Sequence, residues 1–488
     1  MKYFRFFALA ASMALLSCQA KADDPSRDPE EEALSARVFT TSVAGQRMSE
    51  SEILLGKPED VVFYKVELTG ESFQQVDGFG LAITQASCYN LLLMPPEDRT
   101  AFLTELFDRK EGLGSSLIRI CIGGSDFSMD EFTWCDRKGI ENFEVHPLDE
   151  EWLFPILDEI FRINPAVRII ASPWSCPKWM KMSEMGRADY DSWTGGRLNP
   201  DYYQDYALYF VKWIQEMERR GYPIYAVTLQ NEPLNRGNSM SLYMSWEEQR
   251  DFVKFAVGPA FQAAGLKTKI LLFDHNYNYD GIPTQRDYPL HILEDADAAQ
   301  YVAGSAWHNY GGSVTTLDKI HSSFPDKDIY FTEASIGTWN YSFDSCLIND
   351  FRDIFLGTLS RFGKGVTLWN LMLDDERKPF RPGGCSTCFG AVTISSKDHS
   401  LKSLVRNSHY YNVAHCSKVL QPGAVRLGTK GYETAGITYQ WYRNPDGSQA
   451  LLLLNEGNTE ALVNFVSEKH SVSCKVPAKA IQSIIWAE

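Results

Sequence analysis

Two glutamates in this chain each close a short apolar run. One run is Tyr225-Ala226-Val227-Thr228-Leu229-Gln230-Asn231-Glu232, followed by Pro233; the other is Ile329-Tyr330-Phe331-Thr332-Glu333. An apolar, β-branched segment ending in a carboxylate reads as a strand that delivers an acid to the C-terminal rim of a barrel. Two such acids facing one pocket can hydrolyse a glycosidic bond. A protonated carboxyl hands a proton to the leaving oxygen, and an ionised carboxylate attacks the anomeric carbon. Taken singly, either glutamate reads as a strand-end acid capping the next helix; the pair in its setting does not. Retention of configuration would require the two carboxyl groups to lie about 5–5.5 Å apart.

Other residues at the ends of apolar runs are of kinds that bind sugars. Asp126 lies in Gly124-Ser125-Asp126-Phe127, Trp174 in Ser172-Pro173-Trp174-Ser175, and Asn231 directly precedes Glu232. His308 and Tyr310 end another run, and Trp369 and Asn370 end the last. An amide beside the acid can bind the sugar 2-hydroxyl, a contact that strengthens in an oxocarbenium-like transition state. Tyr and His can orient the nucleophile and bias its charge. Trp faces supply apolar stacking for sugar rings. Each residue has a plainer reading alone: Trp as core, His as structural, Asp126 as a helix cap. Their joint placement on one rim favours the functional reading.

Eight apolar runs must position these groups: 76–83, 117–122, 167–172, 225–232, 269–274, 301–308, 329–333 and 365–370. Helical stretches separate them. Over 202–220, Tyr206, Leu208, Tyr209, Val211, Trp213, Ile214 and Met217 recur at near-helical spacing, and Gly221 stops the pattern. Eight strand-then-helix units predict a (β/α)8 TIM barrel over 76–416. An open doubly wound sheet would call for a Gly-rich phosphate loop after the first strand, and there is none. Segments 36–75 and 417–488 carry β-type alternation, such as 61–68 and 450–455. The expectation is one β-sandwich side domain built from both chain ends.

The chain has 488 residues, 44% hydrophobic, 13% aromatic and 23% charged, with a net charge of −16. That charge argues against nucleic acid or an anionic membrane as the main partner and suits a neutral ligand. Cys385-x-x-Cys388 has no second Cys pair or His doublet at zinc-ligand spacing, so no metal or cofactor is expected. A loop disulfide is expected instead, and Cys121 and Cys176 read as buried small hydrophobes. Lys2 and Arg5 precede an apolar stretch, 6–16, too short for a stable membrane span. Leu15-Leu16-Ser17-Cys18 then looks like a lipoprotein cleavage box, with 1–17 a signal peptide and Cys18 lipidated. Residues 18–35 read as a flexible tether. The expected product is an exported, monomeric lipoprotein of the outer membrane, its membrane face left open.

Several motifs together resemble glycoside hydrolase family 30. They are Phe79-Gly80-Leu81-Ala82-Ile83-Thr84, Ile118-Arg119-Ile120 with Ser125-Asp126-Phe127-Ser128, Ala171-Ser172-Pro173-Trp174, the run to Glu232-Pro233, Thr332-Glu333-Ala334 and Trp369-Asn370-Leu371. The resemblance implies a barrel with an attached β-sandwich and a retaining mechanism, with Glu232 as acid/base and Glu333 as nucleophile. It implies sugar contacts from Asp126, Trp174, Asn231 and Trp369, support of the carboxylates by Arg119, and Tyr310 near the nucleophile. Glucosylceramidase members carry an acid where this chain has Leu368 and an aromatic where it has Asn309, which weakens a lipid substrate. An exported lipoprotein with an aromatic-rich cleft best resembles the endo-β-1,6-glucanase branch. The alternatives are an exo-acting β-glucosidase, β-xylosidase or glucosylceramidase-like enzyme, or a non-catalytic surface glycan-binding lipoprotein.

Overall fold

The eight apolar runs form one parallel sheet in a computed structural model that describes residues 34–186, 190–278 and 281–488. In chain order the strands are Gly78–Leu81, Leu117–Cys121, Arg168–Ser172, Ile224–Thr228, Lys269–Asn276, Gly304–His308, Asp328–Glu333 and Gly363–Leu368. From the second strand onward each pairs with the next, and the eighth returns to the first. Closure between the first and second strands comes from Ser116 N–H donating to Phe79 O at 3.2 Å and Ile83 N–H to Arg119 O at 2.8 Å. The strands are apolar on both faces because one face fills the barrel and the other packs beneath helices. Leu117, Ile170, Ala226, Leu271, Ala306 and Tyr330, one from each of six strands, form the interior apolar layer.

Helix Tyr203–Arg219 shows why the pattern reads correctly. Its buried face carries Tyr206, Tyr209, Phe210, Trp213, Ile214 and Met217, and Gly221 follows it at φ +93°. Only a residue without a Cβ adopts that conformation cheaply. The last barrel helix, Ser408–Val419, runs past 416, and the next strand begins at Val425.

Both chain ends build the side domain. Ser35–Ser42 pairs antiparallel with Ala480–Trp486, and Lys65–Gln75 lies between Val425–Gly431 and Ala461–Val466. Nine strands form one hydrogen-bonded sheet that folds over on itself, its two edges linked where Gly56 N–H donates to Ser471 O at 2.9 Å. The enclosed core includes Trp441, Phe465 and Trp486. The alternation over 61–68 misleads at its start: the strand begins at Lys65, and Val62 and Phe63 are 75% and 73% exposed. The domain docks on the barrel through Gln440, which donates to Leu356 O at 2.8 Å, and His415, whose Nδ1 contacts Ser483 Oγ at 2.9 Å. Among the described residues no helix is long and apolar enough to cross a membrane; Cys18 and the segment before it lie outside the described residues.

The barrel seam depends on Gly80, where a Cβ would lie 1.8 Å from Leu117 O. Gly80→Ala must push two hydrogen-bonded strands apart, a cost of about 1–3 kcal/mol. A melting temperature lowered by several degrees in thermal denaturation is the expected result.

Candidate active site

Arg119 is the centre of the site. It projects from the second strand, is fully buried, and meets residues from three other strands. Its Nη1 donates to Glu333 Oε2 at 2.6 Å, and its Nη2 to Asp274 Oδ2 at 2.8 Å and Asn231 Oδ1 at 2.7 Å. The guanidinium lies 5.0 Å from the Trp174 ring and 5.6 Å from the Trp369 ring. Burial disfavours its charge, but Asp274 and Glu333 outweigh that and hold it protonated.

Asp274 anchors this network and was assigned no role from sequence. It is fully buried and accepts from Ser172 Oγ at 2.8 Å, Thr228 Oγ1 at 2.7 Å and Thr332 Oγ1 at 2.6 Å, as well as from Arg119. Phe273 and Asp274 have φ of +72° and +66°, and the strand register shifts between Phe273 and His275. This bulge re-aims the strand end and places Asp274 within the ring of strands. Burial opposes its ionisation, but Arg119 and His308 hold its carboxyl well below the usual range. The signal was present, since 269–274 is a third apolar run ending in an acid.

Glu232 and Glu333 come together as expected. One oxygen of each, with one His308 ring nitrogen, lies within 4.8 Å of the others. An approach of two carboxylate oxygens to within 4.8 Å is the close pairing that retention calls for, not the about 6.5–9.5 Å spacing of an inverting pair. Tyr310 Oη donates to Glu333 Oε1 at 3.1 Å and lies 2.9 Å from Ser335 Oγ. Asn235 and Asn238 donate to Glu232 Oε2 at 2.7 and 3.3 Å. These two amides, in the turn just after Glu232, were not singled out from sequence. The Asn231 oxygen is engaged by Arg119, which leaves its NH2 to donate to a sugar hydroxyl.

His308 differs from the expectation of a sugar contact. It is fully buried, with Nδ1 3.4 Å from Glu232 Oε1 and Nε2 3.0 Å from Asp274 Oδ1. It therefore acts on the carboxylates and offers no surface to substrate. Burial lowers its basicity, but Glu333, Asp274 and Glu232 raise it to about 9. Burial opposes the charge on Glu232, yet the His308 contact holds it down to about 2 in the empty site. In the empty site the pair's one proton therefore sits on His308; an acid role for Glu232 would draw on it through this 3.4 Å contact. Glu333 is raised by burial and by Glu232, opposed by His308 and Arg119. His275, a further buried neighbour 3.9 Å from Glu232, is lowered to about 4 by burial and is neutral.

Trp174 is 2% exposed and stacked on Trp369 at 5.0 Å and 29°, and the Arg119 guanidinium lies over its ring, so its faces are packed against protein. Trp369 does line the cavity between the glutamates, as does Asp126. Burial and the charges of Glu333 and Glu232 push Asp126 up to about 8, so it is protonated at neutral pH and can donate as well as accept. The cavity holds about 480 Å³. Its exposed aromatics are Tyr310, at 46%, and Trp339, at 54% and unassigned from sequence. The expected loop disulfide is present between Cys385 and Cys388 and forms part of the cavity wall. Cys121 and Cys176 are buried free thiols.

Residues 76–420 match the glycosyl hydrolase family 30 TIM-barrel domain, and 423–484 match the family's beta sandwich domain. The chain belongs to glycosyl hydrolase family 30. It is 32% identical to the endo-1,6-beta-D-glucanase BGN16.3 of Trichoderma harzianum over 431 residues, 84% of this chain and 83% of that protein. It is 27% identical to the lysosomal acid glucosylceramidase of Mus musculus, over 85% of this chain and 82% of that protein. Among solved structures, the endo-beta1,6-glucanase BT3312 shares 51% identity at a TM-score of 0.90, covering 93% of this chain and 99% of that one. In this glycoside hydrolase Leu368 is fully buried in the main core, so no carboxylate enters the site from that position.

The charges set the pH dependence. With Glu333 as the nucleophile, kcat/KM falls as pH drops through its pKa, which burial raises above the ordinary carboxylate range. The alkaline limb lies between about 8 and about 9, where Asp126 and the His308–Glu232 pair lose their protons. His308→Asn removes the shared proton's second site and should move that limb to lower pH by about one unit or more. A pH–rate profile of the two proteins checks this.

Proposed function

We propose that this chain is an endo-acting β-1,6-glucanase that works by double displacement. The close pairing of an Arg119-bound Glu333 with a Glu232 that shares a proton with His308 supports the reaction. Similarity to two endo-β-1,6-glucanases along most of the chain supports the linkage.

In the first step a Glu333 oxygen bonds to the anomeric carbon as the bond to the leaving 6-oxygen breaks. Glu232 gives that oxygen its proton, so the glucan leaves as a neutral alcohol. Arg119 and Tyr310 keep Glu333 aimed by binding one oxygen each. In the second step Glu232, now ionised, takes a proton from water, whose oxygen displaces Glu333 with a second inversion. Trp339 and Tyr310, exposed at the rim, give flat faces to sugar units beyond the cleaved bond.

Early digestion of β-1,6-glucan should release a ladder of oligosaccharides; release of glucose alone would overturn endo action. Glu232→Gln should lose about 10²–10⁴-fold on glucan. With an activated leaving group it should accumulate a glycosyl-enzyme on Glu333, detected by mass spectrometry of the intact protein. Glu333→Gln should be inactive on both substrates.

We further propose that Cys18 is lipidated after removal of 1–17, anchoring a monomeric enzyme at the outer membrane. The basic start, the apolar stretch 6–16 and Leu15-Leu16-Ser17-Cys18 support this reading. Cys18→Ala should shift the protein from the membrane to the soluble fraction, where it sediments as a single chain. Retention in the membrane fraction would overturn the anchor.

A further inference from the structure

We propose that the Cys385–Cys388 disulfide is a positioning element for substrate binding, holding together the cleft wall that fixes Asp126 and the wall behind the nucleophile. Its sequence separation is only 3. A cross-link's constraint on the unfolded chain grows with the length of loop it closes, so this bond adds little to global stability. Its effect is local.

The loop reaches Asp126 on one side. Arg381 N–H donates to Asp126 O at 2.7 Å. Gly384 packs so closely that a Cβ there would lie 2.7 Å from Asp126 Cβ. Upstream, Arg381 is clamped to Glu131 at 2.5 Å and Asp130 at 3.0 Å. On the other side, Cys388–Phe389 pairs antiparallel with Ile336–Gly337, and Thr338 N–H donates to Thr387 O at 2.9 Å. That ribbon begins just after Ser335, which contacts the Tyr310 hydroxyl bound to Glu333, and leads into Trp339.

Between the two walls run Gly383-Gly384-Cys385-Ser386-Thr387, with Gly383 at φ +84°. Two adjacent glycines leave this link with wide backbone freedom. The bond from Cys385 to Cys388 removes it, tying the Asp126 contact to the ribbon. Once the bond is open, Asp126 and Trp339 lose their common reference, while Arg119, Asp274 and both glutamates keep theirs. Sugar binding should weaken before the chemical step does.

The test compares kcat and KM on β-1,6-glucan, well below the unfolding temperature, for oxidised, reduced and reoxidised enzyme and for Cys385→Ser/Cys388→Ser. Dithiothreitol supplies two electrons and two protons to the sulfur pair and becomes its own cyclic disulfide. Among the described residues this is the only disulfide, and the other seven cysteines are free. Reduction should raise KM about tenfold with kcat held within about twofold. Reoxidation should reverse the change, and the double variant should reproduce it. Complete reduction, verified by mass, with KM unchanged would overturn the proposal, as would a variant altered only in melting temperature. Should the double variant not fold, the reversible reduction of the wild type decides. The proposal rests on the glycosidase activity and not on the linkage. Wild type inert on β-1,6-glucan but active on another β-glycan would sink the glucan reading and leave this comparison to be made on that glycan.

Discussion

The structure of the site depends on one buried ion cluster, Arg119 with Asp274 and Glu333. Taking a guanidinium and two carboxylates out of water costs several kcal/mol per ion, and hydrophobic residues of similar volume often serve stability as well or better. The cluster is therefore explained by what it orients. Arg119 binds Glu333 through one nitrogen and Asp274 and Asn231 through another, so Glu333 and Asn231 share one rigid fork. Asp274 is in turn saturated by three hydroxyls and His308. No member can rotate without leaving a buried charge unpaired.

The same cluster divides the labour between the two glutamates. Glu333 faces a permanent cation, whereas Glu232 faces an imidazole that can release its proton. Two carboxylates at this distance repel, so ionising both is costly unless positive charge intervenes. His308 supplies it, and Asp274 beyond His308 keeps that ring protonated. The two glutamates thus differ by their neighbours, not by their own chemistry.

Glu232, Phe273 and Asp274 at this rim all have positive φ, an unfavourable state for residues with a Cβ, as do Asp287, Phe362, Arg377 and His399 elsewhere in the barrel domain. Glycines stand where barrel strands close on one another. The β-sandwich shares no residue with the cavity described. The N-terminal strand Lys65–Gln75 completes it by joining Val425–Gly431 to Ala461–Val466 in one sheet.

The sequence by itself determined the barrel runs, the sandwich built from both ends, and the pair of strand-end acids Glu232 and Glu333. These were legible because burial of a strand or helix is written in local periodicity, and a strand-end acid follows directly from it. Asp126, Asn231, Tyr310, Trp369 and Arg119 were legible largely through motifs resembling family 30. Tertiary structure alone decided that Trp174 is covered, that His308 serves the carboxylates, that Asp274 anchors Arg119, and that a four-residue disulfide loop walls the cleft. Each of those facts is a contact of a few ångströms between residues far apart in sequence. Local pattern shows whether a side chain faces inward; only the closed barrel determines which partner waits there.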